Sequence, residues 1–190
     1  MRRDQLEHLI RAAGAILDER EILIVGSQSI LGSVDEDRLP PEAKRSIEAD
    51  LVPLEDPDET KSTLIDGTIG ELSPFHETFG VYAHGVGERT ARLPDGWRSR
   101  LVALQNENTR GIIGWCLEPH DLAVAKMLAG RPHDLEFCRA LFRARIIDPA
   151  EVRRRLASTD MEEGERMRMG KMLTSLASTG QPIDDDQPTP

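Results

Sequence analysis

Two acidic residues in the segment "SIEADLVPL", residues 46–54, have a spacing that suits metal binding. In an extended strand, Glu48 and Asp50 project from the same face, roughly 7 Å apart at about 3.3 Å of rise per residue. Divalent cations such as Mg²⁺ prefer oxygen ligands, and two neighbouring carboxylates without a cation repel each other. Two acids that face solvent from an edge strand show the same spacing, so the pair alone leaves both interpretations open.

A second feature is the end of the apolar run in "EILIVGSQSILGS", residues 21–33. The run stops at Gly26 and Ser27, and apolar residues return at Ile30 and Leu31. A glycine where a buried strand meets a helix lets the backbone approach a phosphate group closely. It also permits tight packing without any ligand, so the turn needs support from the rest of the chain.

The elements that position these residues are predicted from hydrophobic periodicity. Apolar runs and alternation predict strands at 21–25, 46–54, 80–86, 100–105 and 111–117. Helical spacing and end signals predict helices at 3–18, 59–72, 118–130, 132–145, 149–157 and 161–178. Strands come mostly before helices, without regular alternation in the second half. This order predicts an α+β fold in which a small mixed sheet has helices packed on it and carries a C-terminal helical subdomain, and it does not favour a Rossmann fold.

The chain is expected to divide into four parts. These are an N-terminal helix (1–19), a core (20–148), a pair of C-terminal helices (149–179) and a disordered tail (180–190). The tail, "GQPIDDDQPTP", is polar, acidic and rich in proline, which is typical of disorder.

Composition excludes several classes of function. A chain of 190 residues with 38% hydrophobic residues suits one globular domain with appendages. The net charge of −10 argues against general DNA binding, which depends on clustered Lys and Arg. Cys116 and Cys138 form no CxxC motif and predict two buried thiols in a reducing cytoplasm. The start, "MRRDQLEHLI", lacks an apolar signal region, and no stretch of about 18 apolar residues predicts a membrane span. The expected location is therefore cytoplasmic.

The order of these features resembles the nucleotidyltransferase superfamily that includes DNA polymerase beta. There, a Gly-Gly or Gly-Ser turn and a helix precede a strand with the pattern T-x-D-x-D, to which "SIEAD", residues 46–50, is similar. The segment "LEPHDLAVAKMLAGRPHDLEF", residues 117–137, resembles the D-L-x-x-x-K-x-x-A-x-R-x-x-D segment of minimal bacterial members, including those of abortive-infection and toxin–antitoxin modules. "LPDGWRSRLV", residues 93–102, is similar to a block of an uncharacterised subgroup. The ordered set is more specific than any one of its parts.

The resemblance implies a role for each matching position. The turn would contact the triphosphate of an NTP, and the two strand acids would bind Mg²⁺. Lys126 needs an anionic partner because its helix neighbours are apolar, and a phosphate or one of the strand acids would supply it. The implied site residues are Gly26 and Ser27 at the triphosphate, Glu48 and Asp50 at the metal, Lys126 and Arg131 at phosphates, and Asp134 as the last family acid.

The resemblance implies an enzyme that transfers a nucleoside monophosphate from an NTP to a hydroxyl of RNA or protein, within a toxin–antitoxin module with a cognate partner. This chain departs from the family at two points: Glu48 replaces the usual Asp, and the third acid is unassigned, with Glu107 as a candidate beside a strand end. A catalytically reduced binding or antitoxin module is therefore the alternative. The pairs His120-Asp121 and His133-Asp134 suggest a third hypothesis, a metal-dependent phosphohydrolase, although residues at helix starts are the commoner explanation of such pairs.

Overall fold

The computed structural model describes residues 1–178, so the predicted disordered tail at 180–190 lies outside the described residues. The strands within this range are β1 (Glu21–Val25), β2 (Glu48–Pro53), β3 (Tyr82–Gly85), β4 (Val102–Leu104) and β5 (Ile113–Cys116). The α-helices are α1 (Arg3–Leu17), α2 (Pro41–Lys44), α3 (Thr60–Ile69), α4 (Pro74–Phe79), α5 (Pro119–Ala129), α6 (Pro132–Arg143), α7 (Pro149–Ala157) and α8 (Glu163–Ser178).

The five strands form one mixed sheet in the order β3-β2-β1-β5-β4. β1 lies at its centre, antiparallel to β2 and parallel to β5, while β3 runs parallel to β2 and β4 runs antiparallel to β5. The continuous apolar run of β1 is buried from Ile22 to Val25, as expected for a strand covered on both faces. The predicted α+β fold with a small mixed sheet is confirmed.

Helices cover the sheet and continue beyond it at the C-terminal end. α1 packs closely on β5, where a Cβ built at Gly114 would lie 2.5 Å from Ile10 Cδ1. α7 and α8 contact α5 and each other, and they form the predicted C-terminal helical subdomain. The boundaries of the four predicted parts stay a prediction.

The segment after Gly26 is helical, as expected where the buried strand ends at the glycine turn. Residues Ser27–Gly32 form a short 3-10 helix. The short helices α2 and α4 were not predicted; each begins with a proline in its first turn.

Two smaller expectations concern the cysteines and the membrane. Cys116 and Cys138 are both buried and free, as predicted. Burial raises the pKa of each thiol to about 12, so neither thiol is a ready nucleophile. Within residues 1–178, no helix combines the length and the apolar character that crossing a membrane would require.

Candidate functional site: an acidic strand facing a cationic helix pair

Strand β2 presents the two predicted metal ligands at its first and third positions. Ala49 and Leu51 are buried, whereas Glu48 and Asp50, which alternate with them along the strand, are partly exposed. This alternation confirms that the two acids share one face of the strand. The structure therefore places both carboxylates together on the open side of the sheet.

A histidine on the neighbouring strand completes this cluster. His84 lies beside Asp50 in the parallel pair of β2 and β3. Its Nδ1 is 3.6 Å from Glu48 Oε1 and 3.5 Å from Asp50 Oδ1. One ligand atom from each of the three residues lies within 4.8 Å of the others. The cluster thus offers two oxygen donors and one nitrogen donor to a cation.

The charge on Asp50 is disfavoured in the folded protein. Burial, followed by the neighbouring Glu48 carboxylate, raises the pKa of its carboxyl group to about 6, against smaller opposing effects of His84 and Lys126. A carboxyl group with this environment would be stabilised in its charged form by a cation. The donor set and the unfavourable charge both fit a divalent metal ion at this position.

Tyr82 orients the other acid of the pair. Its hydroxyl group donates a hydrogen bond to Glu48 Oε2 at 2.8 Å. Burial and this hydrogen bond to Glu48 raise the pKa of Tyr82 to about 12, so the phenol keeps its proton. Glu48 Oε1 is left on the side of His84.

The Gly26 turn is in direct contact with the acidic strand. Val25 pairs with Asp50 across the antiparallel β1–β2 ladder, and Gly26 follows with φ of 67° and ψ of −167°, a conformation that is essentially restricted to glycine. A Cβ at this position would lie 1.9 Å from Asp50 Oδ2. The glycine is therefore required by the approach of the Asp50 carboxylate, which places the turn beside the predicted metal ligands.

Lys126 and Asp134 form a buried ion pair on the opposite side of the site. Lys126 Nζ lies 2.5 Å from Asp134 Oδ1, and both residues are less than 10% exposed. The partner of Lys126 in the empty protein is thus Asp134, and the expectation that a strand acid would fill this role is wrong. The ammonium group also lies 5.1 Å from the centre of the Phe137 ring.

Two further basic side chains lie close to the Asp134 carboxylate. Arg131 Nε is 3.1 Å from Oδ2, and His133 Nε2 is 3.5 Å from Oδ1. Within the described part of the chain, Oδ2 is buried and accepts no hydrogen bond, because the geometry of the Arg131 contact is poor. Arg131 itself is mostly exposed. This carboxylate therefore pairs with Lys126 and Arg131, and it lies outside the cluster of candidate metal ligands.

One cavity of about 580 Å³ joins the acidic and cationic sides. All seven predicted site residues line it: Gly26, Ser27, Glu48, Asp50, Lys126, Arg131 and Asp134. Additional polar lining comes from His84, Thr90 and Arg92, which the sequence did not suggest. Alternation in "VYAHGV" places Tyr82 and His84 on one face, but only the pairing of β3 with β2 brings that face to the acids. The convergence is structural; the role of each residue stays a prediction.

Two other sequence hypotheses find no geometric counterpart. Glu107 lies in the exposed turn between β4 and β5. Because β5 is parallel to β1 and begins opposite Glu21, this turn lies at the end of the sheet away from Gly26. His120 pairs with Glu118 at the start of α5 and accepts a hydrogen bond from the Asp148 N–H. The phosphohydrolase hypothesis therefore lacks a converging set of His and Asp ligands among residues 1–178.

Comparison with known protein families identifies a relationship for this chain. A family model described as "Nucleotidyltransferase of unknown function (DUF6036)" matches residues 4–176. No curated protein and no solved structure matches the chain significantly. The matched range contains all five strands and every residue that lines the cavity.

Proposed function

The chain belongs to the DUF6036 family of nucleotidyltransferases of unknown function, and we propose that it is a divalent-metal-dependent enzyme that transfers a nucleoside monophosphate from an NTP to a hydroxyl of RNA or protein. The family resemblance inferred from the sequence is confirmed, whereas the metal, the acceptor and a toxin–antitoxin role stay predictions. One observation carries the proposal: a single cavity contains a carboxylate pair, a glycine turn and a pair of cations. Together these three features suit a metal-bound triphosphate, because carboxylates bind the metal while backbone N–H groups and cations bind phosphates.

The acidic side of the cavity would hold the metal ion. Glu48 and Asp50 offer the oxygen ligands that Mg²⁺ prefers, and Mg²⁺ is the ion that the sequence predicts. A bound divalent cation neutralises charge on the phosphates and aligns the acceptor oxygen. The two acids repel a triphosphate as long as their own charge is not compensated. NTP binding is therefore expected to depend on the cation.

The glycine turn would let the triphosphate lie next to the acids. The Asp50 carboxylate occupies the space that a side chain at position 26 would fill. A phosphate that approaches the backbone of Gly26 and Ser27 is therefore close to a cation bound by Asp50. This arrangement favours a substrate whose phosphate contacts the backbone and the metal site together.

The cationic side would bind the phosphates with two different side chains. Lys126 is held in place by Asp134 and provides a fixed positive charge. Arg131 pairs with Asp134 through Nε, but its side chain is 67% exposed and lines the cavity, so its planar guanidinium group can also contact a ligand there. In this proposal Asp134 positions the cations and does not bind the metal.

Calorimetry with an NTP tests the site. We expect wild-type protein to bind the NTP with at least about tenfold higher affinity in Mg²⁺ than in excess chelator, because the cation removes the repulsion from Glu48 and Asp50. Asp50→Asn should abolish this difference. Glu107→Gln is the matched control, since it removes one negative charge in the exposed turn at the far end of the sheet. Equal affinity with and without cation in the wild type would refute the proposed site.

The composition of the cluster favours one alternative. It contains two carboxylates and an imidazole, and Glu48 stands where the T-x-D-x-D pattern of the superfamily that the sequence resembles has Asp. A catalytically reduced module that binds nucleotide, and acts as an antitoxin or binding partner, is the second candidate. Transfer of label from an NTP to RNA or protein separates the two. If the wild-type protein binds the NTP in a metal-dependent way but transfers no more label than the Asp50→Asn variant, the catalytically reduced module is favoured.

A further inference from the structure

His84 gives the acidic cluster a nitrogen donor that an all-carboxylate site would lack. We infer that His84 is the third ligand of the cation at Glu48 and Asp50. This mixed site binds a divalent transition metal such as Mn²⁺ in preference to Mg²⁺. The inference rests on the proposed function, because it concerns the ion held by the same two acids.

The distances in the cluster suit a shared ion. For a cation with ligands at about 2.1 Å, neighbouring ligand atoms lie about 3.0 Å apart and opposite ones about 4.2 Å apart. His84 Nδ1 lies 3.6 Å from Glu48 Oε1 and 3.5 Å from Asp50 Oδ1, between these two values. The two carboxylate oxygens lie within 4.8 Å of each other, so small movements of the side chains would bring all three ligand atoms to one ion.

The backbone and Tyr82 hold the donors in this arrangement. The parallel register places His84 directly beside Asp50. Tyr82, two residues before His84 and on the same face of β3, donates its hydroxyl proton to Glu48 Oε2. Glu48 Oε1 consequently faces the imidazole. A hydrogen bond that orients a ligating carboxylate in this way is typical of metal sites.

The exposure of His84 favours a ligand over a packing residue. Its side chain is 52% exposed, and its ring nitrogen faces two carboxylates. Half-buried rings of this kind add little to a core, and the ring can move to a ligand without repacking. The position therefore suits contact with an ion in the cavity.

The chemistry of the donor set decides the choice of ion. Mg²⁺ strongly prefers oxygen ligands and sheds its water reluctantly. Imidazole favours first-row transition metals, and Mn²⁺ accepts both carboxylate and imidazole ligands. A site with two carboxylates and one imidazole therefore favours Mn²⁺ over Mg²⁺ more strongly than a site with three carboxylates does.

Paramagnetic resonance of Mn²⁺ bound to the full-length protein tests the inference without any activity measurement. We expect a ¹⁴N coupling from the imidazole in the wild type, and its loss in His84→Ala. Titration of both ions should show that His84→Ala lowers Mn²⁺ affinity about tenfold or more while Mg²⁺ affinity changes by less than about threefold. His84→Asp gives the cluster three carboxylates, so it should lower the ratio of Mn²⁺ affinity to Mg²⁺ affinity by at least about tenfold.

His133→Ala is the matched control, because His133 is an exposed histidine that lines the same cavity beside Asp134. It should leave the ¹⁴N coupling and both metal affinities unchanged. Thermal denaturation checks that each variant is folded.

The outcomes separate this inference from the proposed function. Mn²⁺ bound without ¹⁴N coupling, and with an affinity that His84→Ala does not change, would overturn the role of His84 while leaving the site at Glu48 and Asp50 intact. An unchanged Mn²⁺/Mg²⁺ ratio in His84→Asp would also overturn it. If neither ion binds in a way that Asp50→Asn abolishes, the proposed function itself fails.

Discussion

The substitution Lys126→Met tests the buried ion pair and the proposed phosphate contact together. Methionine keeps most of the length of the side chain and deletes its charge. From the sequence alone, this change is expected to weaken NTP binding with little effect on folding. The structure overturns the second part, because Asp134 lies 2.5 Å from Lys126 Nζ and is only 1% exposed. Removing the ammonium group leaves a buried carboxylate without its main partner.

The size of the effect follows from the remaining contacts of Asp134. Breaking a buried ion pair by removal of one partner typically costs about 3–5 kcal/mol. Arg131 Nε at 3.1 Å and His133 Nε2 at 3.5 Å stay near the carboxylate and compensate part of the loss. We therefore expect Lys126→Met to lower the free energy of unfolding by about 2–3 kcal/mol. For a chain of this size, the melting temperature should fall by about 4–12 °C.

A double variant separates the structural role of Lys126 from its role toward the substrate. Lys126→Met combined with Asp134→Asn removes both charges, so it should recover most of the lost stability, with a coupling energy of about 1–3 kcal/mol. It cannot recover a phosphate contact. NTP affinity in the presence of a divalent cation should remain weaker by about 1.5–3 kcal/mol, which is about 10–150-fold.

The assays are thermal and urea denaturation for stability and calorimetric titration for the NTP. Lys171→Met is the matched control, because it makes the same chemical change at an exposed position on α8. A melting temperature of Lys126→Met within about 1 °C of wild type would refute the argument from the ion pair. Wild-type NTP affinity in the double variant would refute the phosphate contact.

Two further predictions concern the acidic side of the cavity. In metal-free protein, Asp50→Asn should raise the free energy of unfolding by about 1–3 kcal/mol at pH 8, because burial and Glu48 raise the pKa of Asp50 to about 6. This gain in stability should shrink towards pH 4, where wild-type Asp50 takes up its proton. If denaturation at pH 8 instead shows a loss of stability, Asp50 has a structural role. Gly26→Ala should lower the melting temperature and abolish metal binding, because a Cβ there meets Asp50 Oδ2 and the backbone strain alone costs about 1–3 kcal/mol. The control Gly67→Ala, in open space within α3, should leave stability unchanged or raise it. Equal effects of the two substitutions would contradict this explanation.

Much of the fold is predictable because its elements carry strong local signals. The apolar run of β1 and the Pro119 and Gly130 boundaries of α5 appear in the structure where the sequence places them. The alternation in β2 likewise predicts that Glu48 and Asp50 share one face. These features depend on residues within one turn or one strand, so a single sequence is sufficient to find them.

The parts that could not be predicted depend on pairing between distant segments. His84 joins the acids only because β3 runs parallel to β2 with His84 beside Asp50, and no local pattern specifies that register. Glu107 lies beside a strand end in the sequence, but the parallel pairing of β1 with β5 places its turn at the end of the sheet opposite Gly26. Sheet topology, more than residue type, therefore decides which candidates can meet.

The spacing of Lys126 and Asp134 shows how a break in a helix can serve a site. In one continuous helix, eight residues cover about 2.2 turns and about 12 Å of rise, too far for a direct contact between a lysine and a short aspartate side chain. Here α5 ends at Gly130, whose φ of 68° closes the helix on the Lys126 carbonyl, and α6 begins at Pro132. The reversal brings Asp134, in the first turn of α6, back to Lys126. The same reversal leaves Arg131 exposed at the junction, beside the cavity. The conformation of Gly130 therefore lets one short segment provide a buried cation, an exposed cation and the carboxylate that contacts both.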